Sequence, residues 1–212
     1  MEIDMKFIKQ IFVVLALLCV NPVFAEPELG KDYKVLNTVQ PTRAGNKIEV
    51  LEFFFYGCSH CFKMHPTLTA WEKKIAKDVE LVYVPTIFNN AWEPMAHTYY
   101  TLELMGQQKR LHDDLFNAWN VNNIDLSDEA KITEFVGQHG VDRKKFGDAY
   151  NSFAIQSKVT RSKQLAQIYS IRGTPSLIVD GKYLISGLGP DESIKVLNYL
   201  IGKARKERAG KQ

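Results

Sequence analysis

The stretch Lys47 to Tyr56, KIEVLEFFFY, constrains the fold more than any other part of the chain. It is a nearly continuous β-prone run that stops at Gly57, as expected for a strand buried on both faces and therefore central in a sheet. Alternation along it puts Ile48, Val50, Glu52, Phe54 and Tyr56 on one face. Glu52 thus points into an otherwise apolar row, where a carboxylate is costly without a partner and burial raises its pKa. The plainer alternative is an acid that reaches solvent at a strand edge.

After Gly57 the pattern turns helical: Phe62, Leu68, Trp71 and Ile75 suit one apolar face, Lys63, Glu72, Lys73 and Lys77 are polar, and Pro66 is expected to kink the helix. A second strand, Val79 to Val84, follows and should run parallel to the first, since a helix connects them. From Asn89 to Lys158 the reading is helical, punctuated by Gly106, the Asn120 to Asn123 stretch, Gly137, Gly140 and Gly147, with starts at Ser127-Asp128-Glu129-Ala130 and at Asp142. Lys158 to Tyr169 reads as one more helix leading back. Ser176 to Val179 and Lys182 to Ile185 flank Asp180-Gly181, a strong hairpin signal. Pro190-Asp191-Glu192 opens a last helix with Ile194, Leu197, Leu200 and Ile201 on one side, and Tyr33 to Leu36 offers a short edge strand. The class is α/β, with a helical block of about 70 residues inserted into another domain.

Of the 212 residues 45 % are hydrophobic and 24 % charged, which excludes disorder as the main state. The net charge is +3, and Lys203, Arg205, Lys206, Glu207, Arg208 and Lys211 by themselves contribute +4. The body is near neutral, so there is no nucleic-acid footprint, and the basic tail reads as a solvated helix end. Residues 1–25 read as a secretory signal: Lys6 and Lys9 precede the apolar run Ile11 to Val20, which ends near Pro22 and the small-residue site Val23-Phe24-Ala25. Glu2 and Asp4 are unusual there, and Met5 is an alternative start. Lipidation at Cys19 is disfavoured by the bulky Leu18 before it. The run is too short to span a membrane.

Export removes Cys19 and leaves Cys58 and Cys61 in an oxidising compartment. A disulfide across two residues closes almost no loop and adds little stability, so a structural staple is a weak explanation. Cys58-Ser59-His60-Cys61 lies where the central strand hands over to a helix. Unpaired N–H groups and the macrodipole there favour a thiolate at Cys58, and His60 can add a positive or hydrogen-bonding contribution. Cys61, one turn further in, should be shielded. A zinc site built on Cys58, Cys61 and His65 or His60 is the competing reading, but a fourth ligand is not evident among His97, His112 and His139. Arg172-Gly173-Thr174-Pro175, before the Ser176 strand, is by itself only a loop signal.

Phe55-Tyr56-Gly57-Cys58-Ser59-His60-Cys61, Gly173-Thr174-Pro175-Ser176 and the helical block between them together resemble the thioredoxin superfamily, specifically the DsbA-like thiol:disulfide oxidoreductases. The resemblance implies a thioredoxin fold over residues 26–88 and 159–212, interrupted by a helical domain over 89–158. It makes Cys58 the nucleophile, Cys61 the resolving thiol, His60 the residue that lowers the Cys58 pKa, and Glu52 the family's buried acid. Pro175 matches the cis-proline facing the disulfide, and the backbone of Thr174 would pair with an extended substrate. Ser59 departs from the proline of the best-known members, and Val79 to Val84 lacks the lysine that sometimes partners the acid.

The expected activity is disulfide donation to reduced exported polypeptides in the periplasm. It needs no cofactor or metal beyond the Cys58-Cys61 pair, runs on a monomer, and is recharged by a DsbB-like inner-membrane partner. An isomerase or reductase keeps the fold with a different potential. Isomerases of the superfamily usually carry a separate dimerisation domain, however, and this chain has no room for one. A non-catalytic peptide-binding module is the third reading.

Overall fold

A computed structural model of the chain describes residues 26–210, so the expected signal over 1–25 and Lys211 lie outside the described residues. The elements are β1 (Lys34–Val35), β2 (Ile48–Phe54), α1 (Ser59–Glu72), β3 (Val79–Pro85), a 3-10 turn (Asn90–Trp92), α2 (Glu93–Leu104), α3 (Gln108–Asn120), α4 (Glu129–Gln138), α5 (Arg143–Tyr150), α6 (Phe153–Ile168), β4 (Ser176–Val179), β5 (Tyr183–Ser186) and α7 (Pro190–Ala209). The strands form one five-stranded sheet in the order β1-β5-β4-β2-β3. β2 lies between a parallel β3 and an antiparallel β4. This is the thioredoxin-like α/β fold with a helical insertion between β3 and β4.

Every residue of β2 is buried, because both of its faces are covered. Ile48 and Val50 pack on one side with Met64 and Leu68 of α1 and Val196, Leu197 and Leu200 of α7. Leu51 and Phe53 pack on the other with Ala166, Tyr169 and Ile178. The helices after β3 build a third core around Met95, Leu111, Phe116, Phe135 and Phe146, and Phe54, Phe55, Tyr56 and Cys61 belong to it. The insertion therefore shares its interior with the end of the central strand.

Local chemistry sets the element ends. Asp128, Asp142 and Ser152 each cap a helix by accepting a main-chain N–H, from Lys131, Lys145 and Ile155. The Ser152 cap starts α6 at Phe153, five residues ahead of the expected Lys158. One helix thus runs from the insertion back towards the sheet. In the hairpin both turn residues are left-handed, Asp180 at φ 54° and Gly181 at φ 63°. A Cβ on Gly181 would also stand 2.1 Å from the Gln40 carbonyl, so only glycine suits that position.

The basic end of α7 differs from the solvated tail expected of its composition. Arg205 makes paired hydrogen bonds of 2.6 and 2.9 Å to Asp78, Arg208 pairs with Asp180, and Glu207 accepts from Lys182 and Tyr183 at 2.6 Å each. The charges close onto acids at the ends of β3 and β4, because α7 lies across the sheet and its last turn reaches those loops.

Candidate active site

Cys58 is the N-cap of α1 and keeps extended backbone angles while Phe62 N–H bonds to its carbonyl at 2.9 Å. Its sulfur lies before the free N–H groups of the first turn and is half-buried, whereas Cys61 is fully buried. The hydrogen bond from the Cys61 thiol, opposed by partial burial and aided by Thr174 and by the main-chain N–H groups of Cys61 and His60, lowers the Cys58 pKa to about 5. Burial, the hydrogen bond to Cys58 and the nearby Glu52 carboxylate push the Cys61 thiol up. Two thiols a turn apart therefore hold opposite protonation states near neutral pH.

His60 contributes through its backbone N–H, and the residue is exposed. Thr174 meets Cys58 in two ways. Its carbonyl accepts a hydrogen bond from the protonated thiol at 3.3 Å, while its hydroxyl favours the thiolate. The Thr174–Pro175 peptide bond is cis, and the loop is tied by the Ser176 hydroxyl, which donates to the Gly173 carbonyl at 2.8 Å. The fold thus brings Cys58, Cys61, His60, Thr174 and Pro175 to one place from segments more than a hundred residues apart.

Glu52 is 3 % exposed in the middle of the central strand, which excludes the reading of an acid at a strand edge. Burial, reinforced by the Glu72 carboxylate, raises its pKa to about 8. Across the parallel register its partner is Tyr83, in the strand that lacks a lysine, and Leu177 stands on the other side. Tyr83 donates to Glu72 at 2.9 Å. The sequence reading passed over Tyr83 and Glu72, since one looks like a strand residue and the other like the polar face of a helix.

An aromatic row supports the turn before Cys58. Phe55 stacks on Trp92 at 3.9 Å and meets Trp119 edge-on at 5.5 Å. A Cβ on Gly57 would fall 2.5 Å from the Phe55 ring and 2.7 Å from that of Trp119. Gly57→Ala is expected to cost roughly 1–3 kcal/mol through forced repacking. Chemical denaturation of the two proteins tests this, and equal midpoints would contradict it.

Among the described residues no group of His, Cys, Asp or Glu is arranged to hold a metal ion, and His65 is engaged with Asp113 at 2.6 Å. No described helix is long and apolar enough to cross a membrane.

Comparison with known proteins fits this geometry. Residues 49–200 match the model of the DSBA-like thioredoxin domain. The chain belongs to the DsbA family. It is 37 % identical to the thiol:disulfide interchange protein DsbA of Pseudomonas aeruginosa over 179 residues, 83 % of this chain and 85 % of the relative. It is 36 % identical to that of Azotobacter vinelandii over 184 residues, 85 % and 86 % of the two chains. The crystal structure of Pseudomonas aeruginosa DsbA superposes with a TM-score of 0.82 at 36 % identity, covering 88 % of this chain and 97 % of that one. The oxidoreductase DsbA from Xylella fastidiosa gives 0.81 at 27 % identity, covering 86 % and 100 %. The DsbA-family assignment and the helical insertion agree with the resemblance drawn from the two motifs.

Proposed function

We propose that Cys58 and Cys61 are the redox couple with which this thiol:disulfide oxidoreductase donates disulfides to exported polypeptides. A substrate thiolate attacks Cys58 Sγ, the Cys58–Cys61 bond breaks, and Cys61 leaves with the electron pair. A second substrate thiol then displaces Cys58, forming the substrate disulfide and the reduced enzyme. Glu52 supplies the proton that Cys61 takes up. Thr174 and Pro175 present main chain to an extended substrate, and His60 assists the Cys58 thiolate through its main-chain N–H. The periplasm is the site of action, the working form is a monomer, and a DsbB-like quinone-linked membrane protein restores the disulfide.

The observation that carries this reading is the contrast between the two sulfurs. A Cys58 pKa lowered to about 5 from 9.0 makes that thiolate a good leaving group, and a good leaving group makes an oxidising disulfide. The depressed value stabilises the folded reduced state. The gain is complete above the unfolded pKa near 9, shrinks as pH falls, and vanishes below about 5. At pH 7, about two pH units above the folded value, the gain is only partial, and the partial exposure of the sulfur discounts it to roughly 1–2 kcal/mol.

Two measurements test it. The alkylation rate of Cys58 with iodoacetamide should rise with a midpoint near pH 5. The reduced protein should melt above the oxidised one at pH 7, by roughly 2–8 °C. A midpoint near that of a free thiol, or a more stable oxidised form, would turn the assignment towards a reductase.

A further inference from the structure

The reaction above moves a proton at Cys61, which is buried, so the proton needs a way to water. We propose that Tyr83 and Glu72 form the outlet through which Glu52 exchanges its proton with solvent, across the cavity between α1, β3, α2 and α3. The inference rests on the role given to Glu52 and adds the residues that connect it to the outside.

The geometry has three parts. Glu52 and Tyr83 are partners in the parallel register of β2 and β3, so their side chains leave the same face of strands about 4.8 Å apart. The Tyr83 hydroxyl donates to Glu72 at 2.9 Å. Tyr83 and Glu72, both only half-buried, line a cavity of about 820 Å³ to which His65, Thr69, Lys73, Glu103 and Asp113 also contribute polar groups. A cavity of that size with polar groups on its wall has room for water, which would carry the proton between the Glu52 carboxyl and the Tyr83 hydroxyl.

The other branch from the same centre stops at His112, which borders the same cavity. Tyr56 meets His112 Nδ1 at 2.7 Å, but His112 is 5 % exposed and its Nε2 has no hydrogen-bond partner among the described residues. Burial lowers the His112 pKa to about 3, so the ring stays neutral at neutral pH and could pass a proton only by releasing one from Nε2, which has no acceptor among the described residues. The other titratable groups facing the relay are Cys61, His65 and Lys73 from α1, Glu80 from β3, Tyr99 and Glu103 from α2, and Lys109 and Asp113 from α3. β4 presents only Leu177 opposite Glu52. Of the groups facing the relay, Glu72 alone is both hydrogen-bonded to Tyr83 and open to the cavity.

The proton balance runs in both directions. In donation Cys61 leaves as a thiolate, protonated Glu52 gives it a proton, and Glu52 becomes a carboxylate. A proton entering at Glu72 then moves through the Tyr83 hydroxyl, which hands on its own proton as it receives one, and Glu52 is reloaded. In reoxidation Cys61 gives its proton to Glu52, and the excess leaves by the same route.

Reduced protein mixed with oxidised glutathione separates the steps, because Cys58 first forms a mixed disulfide and Cys61 then closes the ring. Acid quench and mass spectrometry follow both. In Tyr83→Phe, which keeps the ring, the first step should be unchanged and the second should slow about tenfold at pH 7. The pH profile of the second step should shift, and added imidazole should restore the rate. Glu72→Gln should behave alike.

A second step of normal rate and pH profile in both variants would overturn the outlet, as would slowing of both steps together. Glu52→Gln separates the layers. If it slows ring closure while the other two variants do not, only the outlet fails; if ring closure is normal in Glu52→Gln as well, the role of Glu52 fails with it.

Discussion

Cys61→Ala, once reacted with oxidised glutathione, should hold one glutathione per chain as a lasting mixed disulfide, whereas Cys58→Ala should react at least about a thousandfold more slowly than the unaltered protein. The reason is the asymmetry of the two sulfurs. Cys58 is largely thiolate at neutral pH, with a pKa lowered to about 5, and is half open to solvent. It attacks alone, but without Cys61 nothing displaces the glutathione. Cys61, left by itself, is a buried thiol whose pKa is raised, and it also loses the partner with which it forms a ring. Intact mass against time reads both variants. A transient adduct in Cys61→Ala, or brisk labelling of Cys61 in Cys58→Ala, would reverse the assignment of nucleophile and resolving thiol.

Glu52→Gln should stabilise the protein at pH 7 by about 3 kcal/mol. In the folded state the acid holds its proton up to about pH 8, against 4.5 for the ordinary group. At pH 7 the unfolded chain therefore gains an ionised carboxylate that the native interior refuses, and the difference of about 2.5 units across that window is a penalty on folding. The penalty is absent below pH 4.5, grows between 4.5 and 8, and is constant above. Glutamine has the same shape without the titration, so its advantage should follow the same curve. At roughly 2–4 °C per kcal/mol for a domain of this size, the melting temperature should rise by roughly 6–12 °C at pH 7 and hardly change at pH 4. A destabilised Glu52→Gln protein, or an advantage independent of pH, would mean that the carboxyl makes compensating interactions in the fold. The expected loss is functional: the same substitution removes the group that serves Cys61, an instance of stability given up at a working site.

Much of this protein was legible because its key signals are local. KIEVLEFFFY reads as a two-sided strand, and β2 is central with every residue buried. Asp180-Gly181 reads as a hairpin turn, and both residues take left-handed angles between β4 and β5. The alternation that placed Glu52 among apolar neighbours also holds, because side-chain direction in a strand has a period of two and needs no tertiary information. What was misread depends on distance in space. The basic residues near Arg205 and Arg208 look like a solvated tail in composition, yet they pair with Asp78 and Asp180, which lie far away in the chain. The helix expected from Lys158 begins at Phe153 because a single serine caps it.

The order of residues alone was enough to place a cysteine pair at the start of a helix after a buried strand and to put an acid on that strand's interior, since both follow from short-range stereochemistry. Only the folded arrangement could set Thr174 against Cys58, choose Tyr83 as the neighbour of Glu52, and leave His112 Nε2 without a hydrogen-bond partner among the described residues. These depend on strand register and on which helices cover which face. Free energy selects those features over the whole core, where no window of sequence contains both partners.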